Sequence, residues 1–327
     1  MRVLVTGGAG YIGSHTCKAL AEAGHVPMVY DNLHTGHAWA VKWGALERGD
    51  LNDAATLGAA MKRHRPEAVI NFAALTNVGD STREPALYYR VNVGGMLTLV
   101  ETMRAHDVGS IVFSSSCATY GVPTRLPIGE DTPQAPINPY GRTKLMGEMI
   151  LRDACAAHGL AAVALRYFNA AGADATGELG EEHDPETHLI PLVLQAAAGQ
   201  RPDISVFGTD YDTPDGTCIR DYIHVTDLAA AHVAALAACK PGVFAAYNLG
   251  TGKGASINEV IASARRLTNR EIVVTPGPRR AGDPPMLVAD ASRAQAGLKW
   301  TPKHSDPENI IRTAWAWMNE HRARAVK

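Results

Sequence analysis

A doubly wound parallel α/β sheet carrying a smaller mixed α/β region is the architecture this sequence predicts, on three observations. From residue 1 to about 170, short and nearly uninterrupted apolar runs alternate with alanine-rich stretches. Strands read that way when helices cover both faces of a parallel sheet and neither side meets water. A glycine-rich turn, "VTGGAGYIG", joins the first run to the first helical stretch. Beyond Asn169 the texture changes, and residues 170–220 are rich in Gly, Asp, Pro and Thr.

Taken in order, the first part predicts a strand at "RVLVT", a helix over Tyr11–Ala23 and strands at "VPMVYD", "ALERGD" and "AVINFAA". A helix near Ala86–Ala105, a strand at "SIVFSSS", a helix over Tyr140–Ala157 and a strand at "AAVALRYF" follow. The later part predicts a helix over Leu189–Ala198, a hairpin around "ISVFGTDYDTPDG", a helix within "DYIHVTDLAAAHVAALAA" and one more buried strand at "AYNLGT". Periodicity supports the helices, and Gly/Pro/Asp clusters mark the breaks.

With 327 residues, 46% of them hydrophobic and 20% charged, the chain can bury a large core without staples. A net charge of -2 with both signs scattered leaves no footprint for nucleic acid and no basic segment for a membrane surface. Five cysteines, odd in number and free of C-x-x-C spacing, argue against a disulfide framework or zinc ribbon and for a reducing, cytoplasmic setting. The first apolar run is too short and too glycine-broken for a leader, and nothing approaches the roughly 20 apolar residues of a membrane span. A soluble, unprocessed chain is expected.

Gly7, Gly10 and Gly13 stand at G-x-x-G-x-x-G spacing between the first strand and the first helix. Glycines there permit a tight turn and bring a helix N-terminus, with Tyr11 and Ile12, against a pyrophosphate. Asp31 closes the second strand 18 residues after Gly13, beside Asn32. A carboxylate at that place accepts from ribose hydroxyls and repels a 2′-phosphate, so NAD is favoured over NADP. Asp50 and Leu51, and Phe72, Ala73 and Ala74, end further strands at the same sheet edge. The sheet is therefore read as Rossmann-like. Residues 1–169 form its NAD-binding domain, 221–250 return to it, and 170–220 with 251–327 form a region capping the carboxyl ends of the strands.

Chemistry is suggested by "NPYGRTK". Tyr140 and Lys144 lie four residues apart and share one helical face. A phenol with pKa near 10 is a poor base, and lowering it by about three units takes roughly 4 kcal/mol, part of which an ammonium one turn away supplies. Ser114 to Ser116 follow the fifth strand at the same edge, where the Ser116 hydroxyl can relay a proton to Tyr140.

Together "MRVLVTGGAGYIGSHT", "YDNL", "SSSCATYG", "NPYGRTKLMGE", "LRYFNAAGAD", "DGTCIRDYIHVTDLA", "YNLGTG" and "PRRAGDPP" resemble the extended short-chain dehydrogenase/reductase family from end to end. The fifth, sixth and last point to its UDP-sugar 4-epimerases. The resemblance implies a homodimer formed through the helices near 86–105 and 140–157, and NAD as cofactor. It further implies a UDP-sugar substrate, with UDP-glucose and UDP-galactose interconverted by transient oxidation at carbon 4. Ser116, Tyr140 and Lys144 would be catalytic, while Asn92 and Phe168 would join the cofactor residues. Arg220 and Arg280 would carry the diphosphate, Asn169 the phosphate or sugar, and Leu189 and Phe207 the uracil, with His188, Asp283 and Leu287 completing the substrate site. Thr76 stands where the family often has a cofactor-contacting lysine, Leu287 where it has a tyrosine or smaller residue, and His188 where an asparagine is familiar.

A 4,6-dehydratase would carry Asp-Glu after the active-site hydroxyl, whereas Cys117 and Ala118 follow Ser116. A 4-epimerase of another UDP-sugar, and a non-catalytic NAD-binding protein, are the remaining readings. "EEHDPETHLIP" lacks the H-E-x-x-H order of a helical zinc site, and no metal is expected.

Overall fold

The computed structural model of the chain describes residues 1–280 and 283–325; Ala281 and Gly282 of the "PRRAGDPP" motif and residues 326–327 lie outside. Its first half alternates as expected: β1 (Arg2–Thr6), α1 (Tyr11–Glu22), β2 (Val26–Asp31), β3 (Ala45–Arg48), α2 (Ala54–His64) and β4 (Ala68–Asn71). A short α3 (Val78–Arg83) precedes α4 (Pro85–Tyr88), which runs through a π-helical turn (Tyr89–Gly94) into α5 (Gly95–Ala105). Then come β5 (Ser110–Ser116), α6 (Pro139–His158) and β6 (Ala161–Tyr167). The second half consists of β7 (Asn169–Ala171), α7 (Leu189–Ala197), β8 (Ile204–Phe207), β9 (Ile219–Arg220), β10 (Tyr222–His224), α8 (Val225–Ala238) and β11 (Phe244–Leu249). It ends with β12 (Ala255–Ser256), α9 (Ile257–Thr268), β13 (Val274–Gly277), β14 (Met286–Leu287), α10 (Ser292–Leu298) and α11 (Pro307–Ala325).

The central sheet has seven parallel strands in the order β11-β6-β5-β4-β1-β2-β3. The order reverses between β1 and β4, and that reversal opens a crevice at the carboxyl ends of the strands. One core, with Val5, Leu20, Val29, Leu228 and Leu249, packs α1 and α8 on one face. A second, with Leu57, Met96, Leu99 and Leu151, packs α2, α5 and α6 on the other. A third core joins α7, α9 and α11 through Val193, Val260 and Ile310.

Local chemistry sets the ends of the helices that matter. In α6, Asn138 caps the first turn by accepting from Gly141 N at 2.8 Å, Pro139 supplies a preset φ, and Gly159 ends the helix at φ +73°. A Cβ on Gly147 would stand 2.8 Å from the Phe113 ring, so that glycine lets α6 lie close on β5.

Two expectations need correcting. Instead of forming a hairpin, β8 pairs in parallel with the distant β13, and Gly208 (φ +82°) turns the chain into a loop in which Tyr211 N donates to Gly216 O. The Asp, Thr, Pro and Gly that follow have the chemistry of turns and no apolar alternation to make a return strand. The strand at "AYNLGT" is an edge strand, so Phe244 to Tyr247 remain only partly buried.

Candidate active site

At the crevice the chain folds on itself around two glycines. Gly7 adopts φ +71°, and a Cβ there would meet Ala73 N at 2.6 Å; one on Gly13 would meet Gly7 O at 2.2 Å. No side chain caps α1, whose N-cap residue is Gly10, so the first-turn amides around Tyr11 and Ile12 are open to an anion. Asp31, 8% exposed, fixes this turn: Oδ2 accepts from Ala9 N at 3.0 Å and Oδ1 from Leu33 N at 2.8 Å. Each oxygen keeps a further lone pair for a hydroxyl. Next to it, Asn32 Nδ2 donates to Asp50 Oδ2 at 2.8 Å, and Leu51 is buried beneath. Phe72, just after β4, lies tilted against His232 with ring centroids 4.6 Å apart, and Ala73 and Ala74 are partly buried beside it. An uncapped helix, a carboxylate at the end of the neighbouring strand and an apolar wall suit a dinucleotide.

Tyr11 and Asn92, two further expected cofactor residues, are also engaged within the protein. Tyr11 donates its hydroxyl to Gly172 O at 2.6 Å. Asn92, on the π-helical turn, accepts from Leu75 N at 2.8 Å and donates to Leu75 O and Thr143 Oγ1, each at 3.0 Å. It ties the loop after β4 to α6. Thr76 is exposed on that loop.

The structure brings Ser116, Tyr140 and Lys144 together. Ser116 is the last residue of β5 and accepts from Ala118 N at 3.1 Å; the three serines lie within the strand rather than after it. Burial pushes the Tyr140 phenol well up, while a hydrogen bond with Ser116 pulls the other way. Lys144 is 2% exposed; its Nζ donates to Ser114 O at 2.7 Å and lies 5.8 Å from the Tyr140 ring centroid. Burial pushes this ammonium down to about 7. The sequence reading expects Lys144 to lower Tyr140, but burial dominates both groups: Tyr140 stays a phenol and Lys144 is poised near neutrality. Burial also raises the neighbouring Cys117 thiol to about 12, which leaves it no thiolate at neutral pH.

Across from this group lies a cavity of about 290 Å³. Asn169, His188, Leu189, Phe207, Arg220, Arg280 and Asp283 all line it, gathered from β7, α7, β8, β9 and the loop before β14. The Arg280 guanidinium lies 4.3 Å over the Phe207 ring, and Arg220 pairs with Asp283. Two arginines so placed present forked donors to a diphosphate. Leu287 pairs in register with Arg220 and packs with Phe168 and Cys117, and it is not in the cavity lining.

Several residues escape the sequence reading. Tyr222, Cys218, Ile257 and Arg201 also line the cavity. Beneath the serines, Glu148 accepts from Ser115 Oγ at 2.6 Å and from Arg166 Nε at 2.8 Å, and Arg166 donates to Tyr120 OH at 2.8 Å. Asp221, fully buried, accepts from the amides of Thr251, Gly252 and Ala289 and so joins the small sheet to the end of β11. Only the place of Asp221 and Arg166 within "RDYIHV" and "LRYFNAAGAD", beside the cavity-lining Arg220 and Asn169, could have flagged them.

Fold and site define a class: Rossmann-type dinucleotide proteins that set a Tyr-x-x-x-Lys helix beside a strand-end serine. Residues 3–250 match the model of the NAD dependent epimerase/dehydratase family, and the chain belongs to that family. It is 50% identical over 316 residues to a UDP-glucose 4-epimerase of Rhizobium meliloti, covering 96% of each chain. A UDP-glucose 4-epimerase from Brucella ovis, solved in complex with NAD, is 56% identical with a TM-score of 0.93, the match covering 96% of this chain and 97% of that one. One from Bifidobacterium longum, solved with NAD+ and UDP, is 38% identical with a TM-score of 0.94, over 98% and 99% of the two chains.

Proposed function

We propose that the protein interconverts UDP-glucose and UDP-galactose by inverting carbon 4 of the sugar. The observation that carries this reading is the meeting of Ser116, at the end of β5, with Tyr140 and Lys144 of α6, in a chain that also has an uncapped α1 terminus and an arginine-lined cavity. Bound NAD supplies the acceptor, and then the donor, of the hydride at carbon 4. Tyr140, helped by Ser116, removes the 4-hydroxyl proton and returns it after the 4-keto sugar has turned over. Arg220 and Arg280 hold the diphosphate while Leu189 and Phe207 face the base, so the nucleotide is fixed and the sugar is free to rotate. Asp31 and the first turn of α1 hold the dinucleotide, and Asn92 supports it through the Leu75 backbone.

Residues 1–169 with 221–250 serve the cofactor; 170–220 with 251–327 serve the UDP-sugar. The five cysteines are free thiols, which favours a reducing, cytoplasmic location. Among the described residues no helix is long and apolar enough to cross a membrane. Leu87, Leu97, Met146 and Met149 expose apolar side chains along α4, α5 and α6, which favours a homodimer through these helices.

Incubation of purified protein with UDP-galactose and NAD, followed by proton NMR of the anomeric signals, tests the reading. UDP-glucose should appear and settle at a fixed ratio without net NADH. Absence of conversion, with another UDP-sugar turned over instead, would move the assignment to that sugar.

A further inference from the structure

The loop before α7 gathers four potential metal ligands, of which only His188 also lines the cavity. Glu181, His183, Glu186 and His188 come from eight consecutive residues, and one donor atom of each lies within 4.8 Å of the others. Both carboxylate side chains are only 6% exposed. Two buried carboxylates side by side call for positive charge, which His183 and His188 can supply as imidazolium or a metal ion can supply in their place.

The spacings are informative. His183 Nδ1 stands 3.4 Å from Glu181 Oε1 and 3.5 Å from Glu186 Oε2, yet it is buried and makes no hydrogen bond. A tetrahedron of ligands about 2.1 Å from a central zinc has edges of roughly 3.4 Å, so these contacts are long for a hydrogen bond and right for a shared metal. His188 Nδ1 is 2.9 Å from Glu181 Oε1 and hydrogen-bonded to Glu186 Oε1 at 3.0 Å, so this imidazole is already held toward both carboxylates. Glu186 is already oriented: Oε1 accepts from the amides of Thr187 at 2.7 Å and His188 at 2.8 Å, leaving Oε2 turned toward His183. Outer hydrogen bonds of that kind fix a ligating carboxylate.

We propose that Glu181, His183, Glu186 and His188 form a zinc site. Two imidazoles with two carboxylates suit a borderline divalent ion better than magnesium or calcium, and four protein ligands make a closed, structural site. An ion here would lock the loop between α1, whose Tyr11 ring meets His183 edge-on at 6.4 Å, and α7, whose first residue, Leu189, lines the cavity with His188.

The test uses untagged full-length protein stripped with dipicolinate, then equilibrium dialysis against zinc with metal counted by mass spectrometry. The expected result is one zinc per chain with Kd below about 1 µM, weakened at least about 100-fold in His183→Ala/Glu186→Gln. Circular dichroism in zinc-free buffer establishes that the variant folds. Cobalt(II) added to the stripped wild type should give the intense visible bands of a tetrahedral ion. Sub-stoichiometric zinc binding, equal binding by the folded variant, or only the weak bands of octahedral cobalt would each overturn the proposal.

Discussion

At the scale of single residues, Tyr140 depends on its surroundings for its chemistry. Burial keeps it a phenol, so positive charge on its face decides whether it can take a proton. Tyr140→Phe is expected to lower turnover at least about 100-fold in the NMR assay while NAD binding, measured by fluorescence, persists. Unchanged turnover would remove Tyr140 from the mechanism. Thr76 offers the opposite test, since it is exposed on the loop that Asn92 holds. Thr76→Lys should tighten NAD binding about fivefold by adding one charge-assisted bond; calorimetry showing no gain would place the cofactor elsewhere. That Ser116, Tyr140 and Lys144 would come together was legible because i, i+4 spacing and a strand end are local signals. The involvement of Asn92 with Leu75 and of Asp221 with residues 251, 252 and 289 was not, because those bonds join distant segments.

Among the elements, α6 does most to place the chemistry. Its face toward the sheet carries Tyr140, Lys144 and Glu148, and the buried Glu148–Arg166 pair fixes it to β6. Removing one member of such a pair strands the other: Glu148→Ala should cost about 3–5 kcal/mol in denaturant unfolding. Replacing Glu148 and Arg166 together by Met and Leu should restore much of that loss, and a double variant no more stable than the single one would show the pair to be irreplaceable. The strands and helices of the first half were readable in sequence because each buries a continuous apolar run. The three-stranded sheet β12-β9-β14 was not, because strands of two residues have no periodicity to detect.

For the molecule as a whole, acid should be the weak point. His15, His224 and His232 are buried and held down to about 4, against 6.5 in an exposed chain, with burial the leading cause in each. Above pH 6.5 they cost nothing. As pH falls from 6.5 toward 4 the unfolded chain takes up protons that the folded one refuses, and each histidine removes about 1.4 kcal/mol of stability per pH unit. Thermal midpoints should therefore drop across that window, and His232→Phe should flatten the fall; a midpoint constant from pH 6.5 to 4.5 would contradict the burial of all three. The exposed methionines and leucines of α4–α6 carry the other prediction at this scale. Leu97→Arg with Met149→Arg should convert a dimer to a monomer by light scattering, and an unaltered mass would put any interface elsewhere.

The seventh strand has a consequence for the way the chain is made. β6 ends at Tyr167 and its partner β11 begins at Phe244, on the outer edge of the sheet. On the ribosome, a six-stranded sheet can assemble long before that edge is covered, and an uncovered edge is a template for pairing with another nascent chain. Chains cut short before residue 244 should thus be far more prone to aggregate than chains cut just after residue 250, although both carry the whole glycine turn and the Tyr140 helix.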